Sequence, residues 1–173
     1  MQMRARNIWL LSTICCLLST GCRREAVSLS VSLPVLSYMQ SQPGGLSGGA
    51  VIDFPLLEIF DHQGRLVYAD HNGRRNAAVL ASLPNGIGEA AGASETLART
   101  LAVFPLAKRD RARVLDNRRI TVLSLSLEDC KACILQEEAL NPERTKTLIA
   151  AGINVVAVRL IRDDAQATER PTN

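Results

Sequence analysis

Apolar positions along this chain fall into two rhythms. Residues 120–127 (ITVLSLSL) alternate in part, with Val122, Leu123, Leu125 and Leu127 set among serines. Residues 153–161 (INVVAVRLI) are almost wholly apolar and β-branched. The first run reads as a central strand and the second as a strand covered on both faces. Between them the spacing turns helical, with Ala132, Leu135 and Ala139 predicted on one face. Asn141-Pro142 supplies an N-cap followed by proline at the first helical position. Gly152 closes that second helical piece.

The same reading extends upstream. Residues 54–60 (FPLLEIF) and 65–69 (RLVYA) flank the turn Asp61-His62-Gln63-Gly64 and predict a β-hairpin. Pro55 sits at the strand start, where a missing donor is tolerated. A helix is expected over 76–83 and another from a Ser94 cap to Phe104, with Leu97, Leu101 and Phe104 on one face. The charged run 108–113 (KRDRAR) reads as an exposed connector. Residues 28–33 alternate serine with apolar residues and fit a short strand. Pro43, Gly44, Gly45, Gly48 and Gly49 mark a flexible stretch, so a tether is expected over 22–50. The globular domain is expected over 51–162 and a disordered tail over 163–173. The order is α/β: strand, strand, helix, then strand, helix, strand.

The first 22 residues read as an address. Arg4 and Arg6 precede an apolar run over 8–18, in the range of a secretory signal and too short to span a bilayer. Leu18-Ser19-Thr20-Gly21-Cys22 resembles a bacterial lipobox, which implies a signal peptide over 1–21 and a lipidated Cys22. Several acyl chains give stable membrane anchoring. By the same resemblance, Arg23 rather than an aspartate implies the outer membrane, facing the periplasm. Loss of residues 1–21 removes two arginines and no acid, taking the formal charge from +3 to +1. No strongly basic surface remains in bulk, which argues against nucleic acid as a partner.

Of the five cysteines, Cys15, Cys16 and Cys22 belong to that N-terminal segment. Cys130 and Cys133 lie in the body, where the strand over 120–127 meets the helix. Such a Cys-x-x-Cys reads as a thiol–disulfide pair. A thiol at a helix N-terminus has its pKa lowered into a range of roughly 3.5–7.5. Cys130 is therefore the expected attacking sulfur and Cys133 the resolving one. A short structural bridge is the alternative. No metal is expected, since only His62 and His71 are available beside the pair. No nucleotide fingerprint or other cofactor motif occurs.

The segments 120–133 and 152–160 resemble the redox half of thioredoxin-like proteins, especially periplasmic disulfide isomerases. That family's second half carries a cis-proline and a hairpin after the motif. Here only a tail follows, whereas residues 54–67 look like that second half. The resemblance implies a thioredoxin-like three-layer sandwich with a mixed sheet, circularly permuted as ββα then βαβ. Pro55 would then be the substrate-binding cis-proline, packed against the cysteine pair. A second layout keeps the usual order and treats residues 55–69 as the leading hairpin of membrane-anchored thioredoxin-like reductases. The chain departs from the family in Glu128-Asp129, where many members have an aromatic residue, and in the bulky Phe54. Two functions follow as expectations. One is a lipid-anchored periplasmic thiol–disulfide oxidoreductase acting on protein thiols or disulfides. The other is a structural or assembly lipoprotein that binds envelope proteins through a thioredoxin-like scaffold.

Overall fold

The computed structural model describes residues 25–41, 53–83, 95–116 and 118–162. The signal peptide expected over 1–21, the expected lipidation site Cys22 and the tail expected over 163–173 lie outside the described residues. Five strands form one mixed sheet in the order β1-β5-β4-β2-β3. They are β1 (Ser28–Pro34), β2 (Leu56–Phe60), β3 (Leu66–Asp70), β4 (Thr121–Leu127) and β5 (Asn154–Ile161). β1, β5 and β4 are mutually parallel, while β2 is antiparallel to both β4 and β3.

Helices cover both faces. Tyr38 of α1 (Val35–Ser41), Leu97 and Leu101 of α3 (Leu97–Ala102) and Val114 of α4 (Lys108–Asp116) join Phe60, Leu123, Leu125, Val156 and Val158 in one core. Leu80 of α2 (Gly73–Ser82), Ala139 of α5 (Ile134–Ala139) and Leu148 of α6 (Pro142–Ala150) pack on the other face against Leu57, Ile59, Val122 and Val155. Alternate residues of β2 and β4 thus serve opposite cores, as the two-residue strand period requires. The result is an α/β sandwich with helices on both sides of a five-stranded sheet.

The expected hairpin forms. Asp61 Oδ1 accepts from the amides of Gln63 at 2.8 Å and Arg65 at 2.9 Å. Gly64 takes a positive φ of 76°, a conformation open to glycine without a Cβ penalty. Asn141 caps α6 through Arg144 N at 2.9 Å with Pro142 at the first turn.

Three expectations are corrected. The tether does not run over 22–50: β1 pairs along its whole length with β5, and Tyr38 of α1 is buried and stacked on Phe104 at 5.9 Å. The strand expected over 28–33 forms, but as the edge strand of the sheet rather than within a tether. The connector over 108–113 is instead the body of α4, which buries Val114, exposes Lys108, Arg109 and Arg113, and turns Arg111 back to the carbonyl of Phe104 at 3.0 Å. Finally, Leu135 is 45% exposed, and α5 buries Gln136 instead. A buried glutamine is invisible to an apolar count.

Candidate functional site

The chain reaches the cysteine pair through a tight corner. Glu128 N donates to Leu160 O at 2.8 Å, extending the β4–β5 ladder by one bond. Asp129 then adopts a positive φ of 58°, which aspartate tolerates better than most residues. Cys130 N returns to Leu127 O at 3.2 Å, and Cys133 N donates to Cys130 O at 3.0 Å. Lys131–Cys133 form a single 3-10 turn that leads directly into α5.

Cys130 and Cys133 are joined as a disulfide, with Cα atoms 5.3 Å apart. Their environments differ. Cys133 is 0% exposed, whereas Cys130 is only partly covered. Ile134 and Leu135, the next two residues, are 48% and 45% exposed, so exposed apolar surface follows the motif directly. Of the acids before the motif, Glu128 Oε2 accepts from Arg162 N at 3.4 Å and Asp129 is exposed.

Pro55 reaches the same end of the sheet. Leu56 pairs with Leu125 near the end of β4, which sets the Phe54–Pro55 segment beside the exit to Cys130. The Phe54–Pro55 peptide bond is cis. Pro55 is buried, and its Cγ lies 3.5 Å from where a Cβ on Gly73 would stand. The carbonyl oxygen of Ala132, the residue before Cys133, lies 2.6 Å from the same point. Gly73 therefore lets the motif, the first turn of α2 and Pro55 meet. His71 steadies the approach, with Nδ1 2.7 Å from Asp53 O.

Sequence reasoning missed a polar network behind the disulfide. Gln136 lies one turn beyond Cys133 and is fully buried. Its Nε2 faces Ser124 Oγ at 2.8 Å, Leu56 O at 3.1 Å and Leu125 O at 3.4 Å. Asn76, also fully buried, donates to Gln136 Oε1 and to Asp70 O, and accepts from the Tyr68 hydroxyl at 2.9 Å. The only signal was polar residues at core spacing from Cys133 and from Leu80.

A second polar feature lies on the opposite face of β2. Glu58, Tyr38, Glu95 and Arg99 line a cavity of about 470 Å³. Burial, with Glu95 nearby, raises the Glu58 carboxyl to about 7, opposed by His71. Burial, with Glu58 adding to it, pushes Tyr38 up to about 12.

Among the described residues no group of three His, Cys, Asp or Glu side chains could hold a metal ion. None of the described helices is long and apolar enough to cross a membrane. No family model, curated protein or solved structure matches this chain.

Proposed function

We propose that the protein is a thiol–disulfide oxidoreductase of circularly permuted thioredoxin-like fold, anchored through a lipidated Cys22 to the outer membrane and facing the periplasm. The observation that carries the redox reading is the asymmetry of the disulfide: Cys130 is partly exposed and Cys133 is fully buried. Exchange needs an accessible sulfur that forms the mixed disulfide and a protected partner that resolves it. The permuted fold is supported by the sheet order, which puts the hairpin of β2 and β3 beside the motif strand although it precedes that strand in sequence.

In the reducing direction, the Cys130 thiolate attacks a substrate disulfide. A Cys130–substrate bond forms and one substrate thiolate leaves. The Cys133 thiolate then attacks Cys130 Sγ, and the second substrate thiolate leaves. Two electrons pass to the substrate, whose thiolates take up the two protons the cysteines gave up. The protein ends as the Cys130–Cys133 disulfide, and a dithiol donor must reduce it for the next cycle. Oxidation of a substrate dithiol is the reverse sequence.

The structural-lipoprotein reading has its own support, in the complete burial of Cys133 and the carboxylates just before Cys130. Reduction of insulin by dithiothreitol separates the two. The native chain should accelerate it, and Cys130→Ser and Cys133→Ser should not. Equal inactivity of all three proteins, with a reduction potential below about −300 mV, would establish the structural bridge instead.

A further inference from the structure

We infer that Gln136 is a positioning residue for thiol exchange, fixing the cysteine-bearing helix against the main chain that follows Pro55. The inference rests on the exchange reading above and adds to it how the two halves of the site are held in register.

Gln136 and Cys133 share the inner face of one helical run, three residues apart. The Gln136 amide reaches across 80 residues of sequence to the carbonyl of Leu56 at 3.1 Å. Leu56 follows Pro55 directly, so this bond ties the helix after the disulfide to the segment that faces Ala132. The same amide lies 2.8 Å from Ser124 Oγ on β4, the strand that delivers Cys130. Asn76 on α2 holds the other end of the side chain, and Tyr68 on β3 holds Asn76. One side chain thus links α5, β2, β4 and α2 around the disulfide.

An apolar residue of similar size would fill this space with no partners to satisfy. A buried amide is costly unless its groups are paired, and here partners come from three other elements, β2, β4 and α2. Such a network specifies one arrangement of the elements that meet in it. The arrangement fixed here is the gap between the Pro55 segment and the disulfide. A small reagent reaches Cys130 whatever that gap is. A polypeptide approaching the sulfur beside Pro55 does not.

The test compares two reactions of Gln136→Leu. Alkylation of reduced Cys130 by iodoacetamide should stay within about twofold of the native rate. The kcat/KM for insulin reduction should fall by about tenfold, since small misplacements at a reacting centre have effects of this size or larger. Ser124→Ala leaves Leu56 O and Leu125 O as acceptors and should remain within about twofold in both assays. If Gln136→Leu does not fold, Asn76→Ser loosens the Gln136 carbonyl end and should show the same split, at about threefold. An unchanged insulin rate, or an equal fall in both reactions, overturns the positioning role. Failure of the native chain to reduce insulin, with a reduction potential as low as the structural bridge requires, overturns the exchange reading, and this inference with it.

Discussion

The main-chain amide of Val27 donates to Asn154 Oδ1 at 3.1 Å, joining residues 127 apart in sequence. Asn154 is fully buried and also donates to Thr121 Oγ1 at 3.1 Å, while its own amide donates to Ile120 O at 2.9 Å. One asparagine therefore fastens the start of β1 to the starts of β4 and β5. Asn154→Ala leaves the buried Val27 amide without that acceptor, at a cost of about 1–3 kcal/mol. Urea unfolding should show the loss, and hydrogen exchange should show faster exchange along β1 than along β4. Unchanged β1 protection would mean that the β1–β5 ladder suffices by itself.

Val27 also limits the reach of the proposed anchor. Cys22 precedes it by five residues, which extend to about 17 Å. The parallel register puts Val27 at the Thr121 end of the sheet, and Cys130 follows the opposite end of β4. Seven residues of strand separate those ends by about 20 Å. In the lipidated chain on vesicles, a fluorophore at position 131 should escape a headgroup-bound quencher. A 20-residue Gly/Ser insert after Arg24 should bring quenching on. Equal quenching with and without the insert would refute the short leash.

Gly73 is the closest steric junction at the site. A methyl group there would stand 2.6 Å from Ala132 O, a main-chain atom that no side-chain rotation can move aside. Gly73→Ala should destabilise the protein by about 1–3 kcal/mol, as overpacking does. It should also slow insulin reduction by displacing α2 from the motif. A thermal melt and the insulin assay check both, and native behaviour in each would show that α2 shifts freely.

Glu58 gives stability a dependence on pH. Its folded pKa of about 7 lies above the ordinary 4.5 because burial, and then Glu95, disfavour the charge. The folded chain holds this proton while the unfolded chain releases it. The contribution is therefore complete below 4.5 and is lost as pH rises toward 7. The loss should be on the order of 1–2 kcal/mol, allowing for solvent screening of a side chain that is not fully covered. Urea midpoints of Glu58→Gln between pH 4.5 and 8 should vary less than those of the native chain. Parallel curves for the two proteins would remove Glu58 as the cause.

Much of this architecture is legible in the residues because local chemistry writes it. Apolar alternation marks β4, a β-branched run marks β5, Asp61 and Gly64 make the hairpin turn, and Asn141-Pro142 starts α6. The spacing of Cys130 and Cys133 at a strand-to-helix corner announces the disulfide. What the residues hide is whatever depends on a partner far away. Ser28–Pro34 reads as a short strand whose membership of the sheet shows only once β5 lies beside it, and the charges of α4 conceal the face that buries Val114. Gln136 and Asn76 look like surface residues because an amide is at home in a core only when distant groups satisfy it. Composition and spacing determined which residues could carry the chemistry. Only tertiary structure decided that Cys133 is closed off while Cys130 is not, that Gly73 makes room for Ala132 beside Pro55, and that a carbonyl 80 residues away holds the helix between them. Burial and hydrogen-bond pairing are properties of the assembled chain, so no local pattern could have fixed them.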